Sequence, residues 1–101
     1  MASAGERTFF VEGYVPNLDG TTAASLSSRL RRAILELEQE GLSVRWLESF
    51  ALIEEETYVW MLVASDVNHV ALVNERAGTG FDHVVEMIVV ESARGEPGMR
   101  G

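Results

Sequence analysis

Two apolar runs, VRWLESFALI (44–53) and TYVWMLVA (57–64), are separated only by Glu54, Glu55 and Glu56. Both runs are rich in β-branched and aromatic residues, which favour extended backbone over helix. A link this short cannot hold the long crossover that a parallel return needs, so the runs must form an antiparallel hairpin with the acidic triplet as a solvated turn. Charge concentrated at that turn also discourages edge-to-edge association.

The segments on either side complete the pattern. From Thr8 to Val15 the chain reads as a first strand, and Pro16 removes a ladder donor where pairing should stop. Ala23, Leu26, Leu30, Ala33 and Leu37 recur at helical steps, with Thr21 or Thr22 as the cap and Gly41 as the terminator, which predicts a helix from Thr22 to Glu40. Ser65 or Asp66 caps a second helix, with Val67, Val70, Ala71 and Ala77 facing inward and Gly78 ending it; HVVEMIVV (83–90) is the last strand. The order strand, helix, strand, strand, helix, strand predicts an α+β ferredoxin-like βαββαβ plait, a four-stranded antiparallel sheet with both helices on one face. Residues 7–91 form its single domain, and 1–6 and 92–101 are expected to be flexible ends.

Composition narrows the function classes. The 101 residues suffice for one modest core, and 47% hydrophobic with 24% charged residues is ordinary for a globular domain. Without cysteine there is no disulfide framework, thiolate nucleophile or sulfur-rich metal site. A net charge of −8 is repelled by phosphates, and the densest basic cluster is Arg29, Arg31 and Arg32 in one helix, so nucleic acid is not the expected partner. MASAGERTFF has no basic region followed by an apolar run, and no stretch approaches a membrane span, so the expectation is a cytoplasmic protein with no membrane partner.

Parity along the strands sorts residues between the sheet faces. In the first strand Phe9, Val11, Gly13 and Val15 suit packing under helices, which leaves Thr8, Phe10, Glu12 and Tyr14 on the open face. The same rule places Trp46, Glu48, Phe50 and Leu52 there from the second strand, and Val84, Glu86, Ile88 and Val90 from the fourth. The third strand is apolar on both parities, leaving Trp60 on either face. An open face that carries so many apolar side chains exceeds what a monomer usually exposes, so a homodimer through this face is expected, with a cavity near the glutamates for a small apolar ligand. The pocket candidates are Phe10, Glu12, Tyr14, Trp46, Glu48, Trp60 and Glu86. Adjacent strands would bring Glu12 and Glu86 together, so that one carboxylate takes a proton or a cation binds. The alternative is that these acids reach water at the rim or pair with arginines of the partner.

Only His69 and His83 supply imidazole, and they lack the spacing of a metal motif such as HExxH. A metal cluster of Asp82, His83 and Glu86 is a minor candidate, since residues three apart on a regular strand face opposite ways. Ser25, Ser27 and Ser28 form no triad with either histidine, and the glycines of DGTTAAS and GTGF serve turns and caps.

FVEGYVP, VRWLESF, TYVWMLVA with a helix opening at Ser65, and the RAG at Arg76 to Gly78 give the chain a further likeness over roughly residues 8–91. It resembles a family of small, mostly uncharacterised ferredoxin-like domains common in actinobacteria that includes a nickel-binding protein. The resemblance implies a dimer of plaits and, for some members, a divalent metal such as nickel. Those members carry histidine or cysteine on the sheet, where this chain has Glu48 and Trp60. A second functional expectation is an enzyme resembling the cofactor-independent monooxygenases or lactone isomerases of the dimeric plait type, with Glu12 or Glu86 as general base and Tyr14 or His83 assisting.

Overall fold

The computed structural model describes residues 5–81 and 83–91. Its elements are β1 (Arg7–Tyr14), α1 (Gly20–Gln39), β2 (Val44–Leu52), β3 (Thr57–Ala64), α2 (Val67–Ala77) and β4 (His83–Met87). The sheet has four strands in the order β2-β3-β1-β4, and every neighbouring pair is antiparallel. This is the predicted plait. Residues 1–4 and 92–101, most of the two ends expected to be flexible, lie outside the described residues, as does Asp82.

α1 forms because Asp19, not Thr21 or Thr22, caps it: the carboxylate accepts the Thr22 amide at 2.8 Å. The aspartate is the first of several capping-competent residues in DGTT, so the helix starts earlier than the threonines suggest. Leu26, Leu30, Ala33, Ile34 and Leu37 form its buried stripe. Asp66 caps α2 through the Asn68 amide, and Gly78, left-handed at φ 73°, ends it. The buried stripe of α2 is Val70, Val73, Asn74 and Ala77; Val67 and Ala71, expected inside, are exposed. Among the described residues no helix is long and apolar enough to cross a membrane.

Both helices pack on one side of the sheet, over Phe9, Val11, Tyr58, Trp60, Leu62 and Ala64. The buried Tyr58 hydroxyl is satisfied by the Ser27 hydroxyl at 2.6 Å, which also meets Ser49 at 3.1 Å, so Ser27 has a structural task. Trp46 joins this layer. A bulge between Trp46 and Glu48 shifts the β2 register, so Trp46 stands opposite Leu62 on the helix side while Glu48 stands opposite Met61 on the other. The expectation of Trp46 on the open face is thereby overturned, and Trp60 is settled as a buried core residue.

β4 also differs from its expected parity and length. Val11 pairs with Val84 and Phe9 with Glu86, which puts Val84 and Glu86 on the helix side. Pairing ends at Met87 instead of Val90, with Thr8 the last β1 residue that has a partner in β4.

Candidate functional site

The open face keeps Thr8, Phe10, Glu12 and Tyr14 of β1, Glu48, Phe50 and Leu52 of β2, and alternate residues of β3. Phe10 is flanked by Met61 on one side and Val85 on the other. Phe50, opposite Val59, is 45% exposed and Val85 is 44% exposed. Among the described residues no helix covers these side chains, which lie on the same face as the carboxylates of Glu12 and Glu48.

The polar centre of this face is built at the β1–β4 junction. Glu12 is cross-strand partner to His83, and its Oε2 lies 2.8 Å from His83 Nδ1. The imidazole is exposed while the carboxylate is about one-third exposed (61% and 35%), so the pair sits at the edge of the apolar surface. Several contacts fix where His83 emerges. The buried Asn74 donates its side-chain amide to the Phe81 carbonyl at 2.7 Å and accepts from the Thr79 hydroxyl at 2.6 Å. Arg29 donates to the carbonyls of Ala77 and Gly78 at 2.8 and 3.0 Å. The Phe81 ring occupies the space left by the missing side chain of Gly13, where a Cβ would overlap it, and it packs on Tyr58. Gly13 therefore allows the close approach that brings β4 against β1 beside Glu12.

A shallow cavity of about 280 Å³ lies here, lined by Glu12, Gly13, Tyr14, Thr57 and His83. Tyr14 is held by its hydroxyl, which donates to Glu56 Oε1 at 3.0 Å; the other oxygen of Glu56 accepts the Asn17 amide at 2.7 Å. Accepting that bond from the neutral phenol, together with the nearby negative charge, pushes the Tyr14 pKa above its ordinary value. Glu56 is thus an organising residue of the turn, with φ 50°, and not only part of a solvated acidic triplet.

The structure brings together Phe10, Glu12, Tyr14 and His83, with Glu48 on the same face. It removes Trp46, Trp60 and Glu86. Glu86 is on the helix side and takes a two-pronged bond from Arg7, at 3.2 and 3.1 Å, so it does not approach Glu12. His83 and Glu86 face opposite ways, as their spacing implied, and the Asp82–His83–Glu86 metal cluster does not form from them. Among the described residues no group of three or more His, Asp and Glu side chains converges to hold a metal ion. Nickel prefers nitrogen ligands, and the other histidine, His69, lies in α2 with its Nδ1 3.4 Å from the Ser65 hydroxyl, so the donor set does not fit such a centre. Sequence reasoning missed Thr57 and Glu56; the signal for Glu56 was its place directly before the strand that pairs with β1.

The chain matches no protein-family model and no curated protein. Among solved structures it is similar to a crystal structure of SCO4226 from Streptomyces coelicolor A3(2), with a TM-score of 0.63 at 17% identity, covering 83% of this chain and 99% of that one. At that identity the likeness carries the fold alone, and the fold it carries is the ferredoxin-like plait.

Proposed function

We propose that this chain is a cytoplasmic, homodimeric binding domain of the small ferredoxin-like family its motifs resemble, in which two open sheet faces meet and enclose a small apolar ligand beside Glu12 and His83. The observation that carries the reading is the face itself: Phe10, Phe50, Met61 and Val85 share a face that no helix among the described residues covers, with one carboxylate–imidazole pair at its edge. Burying such a surface against a copy is favourable in proportion to the apolar area removed from water. The Glu12–His83 pair then supplies a polar anchor for a ligand that is otherwise held by apolar contact.

The 2.8 Å Glu12–His83 contact also favours a second reading. A carboxylate that fixes one imidazole nitrogen leaves the other to take a proton from a bound substrate, the arrangement general-base catalysis needs. In that reading His83 is the base and Glu12 orients it, while Glu86 has no part.

Native mass spectrometry of the untagged chain tests the binding reading. Two chains carrying a co-purifying small molecule are expected, with the molecule lost in Glu12→Gln and His83→Ala. A ligand-free chain in every preparation, and unchanged occupancy in both variants, would each count against it. Metal analysis of the same samples is expected to show no stoichiometric nickel or zinc.

A further inference from the structure

The chain has twice as many acidic as basic residues, 16 against 8, so every arginine could in principle find a carboxylate. Among the described residues Arg7 is paired with Glu86, Arg76 with Glu36 and Glu40, and Arg29 with the carbonyls that end α2. The other three described arginines, Arg31, Arg32 and Arg45, share one place. They line a groove of about 580 Å³ between α1 and β2, whose apolar part is Ile34, Leu35 and Trp46. The Arg31 guanidinium lies over the Trp46 ring, 5.9 Å from its centroid. Arg32 and Arg45 make no hydrogen bond or ion pair among the described residues. Among the described residues Glu38 is the one acid that borders the groove.

We infer that this groove is a binding site for a small organic carboxylate with a flat apolar body. The guanidinium forks match a carboxylate, and three like charges gathered beside an apolar wall are relieved by one anion placed among them. The flat body follows from the wall: the Arg31 guanidinium already lies over Trp46, its outer plane offers a further stacking surface for a flat group, and Ile34 and Leu35 exclude water from the edge. The size lies within the range of small-molecule sites. The net charge of −8 repels a polyanion such as nucleic acid but only weakly opposes a single carboxylate that meets a local positive field. This groove opens at the β2 edge of the sheet, where Arg45 comes from the strand and Arg31 and Arg32 from α1, and it shares no lining residue with the Glu12–His83 cavity, so the inference does not rest on the open-face reading above.

Isothermal titration calorimetry of the full chain with 2-naphthoate, and with the uncharged 2-naphthalenemethanol, tests it. Saturable naphthoate binding is expected, much tighter than that of the alcohol and weakened by salt. Arg32→Gln and Arg45→Gln should each weaken it about tenfold, the loss of one charge-assisted pair. Glu38→Gln should tighten it. Arg7→Gln makes the same change in net charge away from the groove and should leave the affinity unchanged. In a Trp60→Phe background, naphthoate should quench Trp46 fluorescence. Equal affinity for acid and alcohol, equal weakening by Arg7→Gln and Arg45→Gln, no saturable heat, or no quenching of Trp46 would each overturn the assignment.

Discussion

The indole of Trp46 stacks on that of Trp60, with centroids 5.7 Å apart and planes 11° from parallel, although the two residues stand on neighbouring strands at non-paired positions. Trp60 is fully buried and its indole N–H has no hydrogen-bond partner among the described residues. Truncating Trp60 to alanine should cost about 3–5 kcal/mol, as for other large core residues. Trp60→Phe should cost much less, because it keeps most of the ring volume in the core while removing, as alanine also does, an unpaired buried donor that carries a penalty of about 1–3 kcal/mol. Urea denaturation midpoints of the two variants check this. Equal losses would mean that the volume of the ring is not what Trp60 contributes to the core.

Gly13 and Phe81 offer a second test. A Cβ on Gly13 would overlap the Phe81 ring, so Gly13→Ala should destabilise the chain by about 1–3 kcal/mol through overpacking. Adding Phe81→Leu should recover part of that loss. If the double variant is as unstable as the sum of the two single ones, the ring is not what Gly13 accommodates.

Tyr14 and Glu56 make a prediction in alkali. The Tyr14 pKa is raised by Glu56, so the pair contributes stability that is fully present below the phenol's unfolded pKa and is lost as pH rises through the higher folded value. Absorbance titration of Glu56→Gln should show one phenol returning toward its ordinary range. An unchanged titration curve would remove Glu56 as its partner.

In acid the relevant groups are Asp19 and Glu40. The bond from the Thr22 amide lowers the Asp19 pKa, and the bond from Arg76 lowers that of Glu40. Both contributions are present above the unfolded carboxylate values and are lost as pH falls through the depressed folded ones. Thermal unfolding of Asp19→Ala should therefore show a shallower decline in melting temperature on acidification than the parent chain. Parallel curves would rule the cap out as a source of the acid sensitivity.

The plait was legible because its signals are local. Short separation fixes the hairpin, Gly41 and Gly78 adopt the positive φ values of 100° and 73° expected at helix ends, and Leu26, Leu30, Ala33 and Leu37 of the predicted α1 stripe are buried, with Ala23 only partly so. The site was legible only in part, because face assignment depends on pairing between strands. One bulged residue moves Trp46 under the helices while leaving Glu48, Phe50 and Leu52 on the open face, and nothing in RWLE marks it. Likewise HVVEMIVV is apolar on both parities, so only its register against β1 reveals that His83, and not Glu86, accompanies Glu12. The arginine groove was hidden for another reason: Arg45 meets Arg31 and Arg32 only when β2 lies beside α1.

The central claim is that a second copy covers the open face, and light scattering across a dilution series into the low micromolar range tests it most directly. The account predicts a mass of about twice the 11.1 kDa of one chain, falling to a single chain in Phe10→Asp and in Phe50→Asp. A parent chain that runs as an 11.1 kDa monomer at every concentration, or a dimer that both aspartates leave intact, would contradict it.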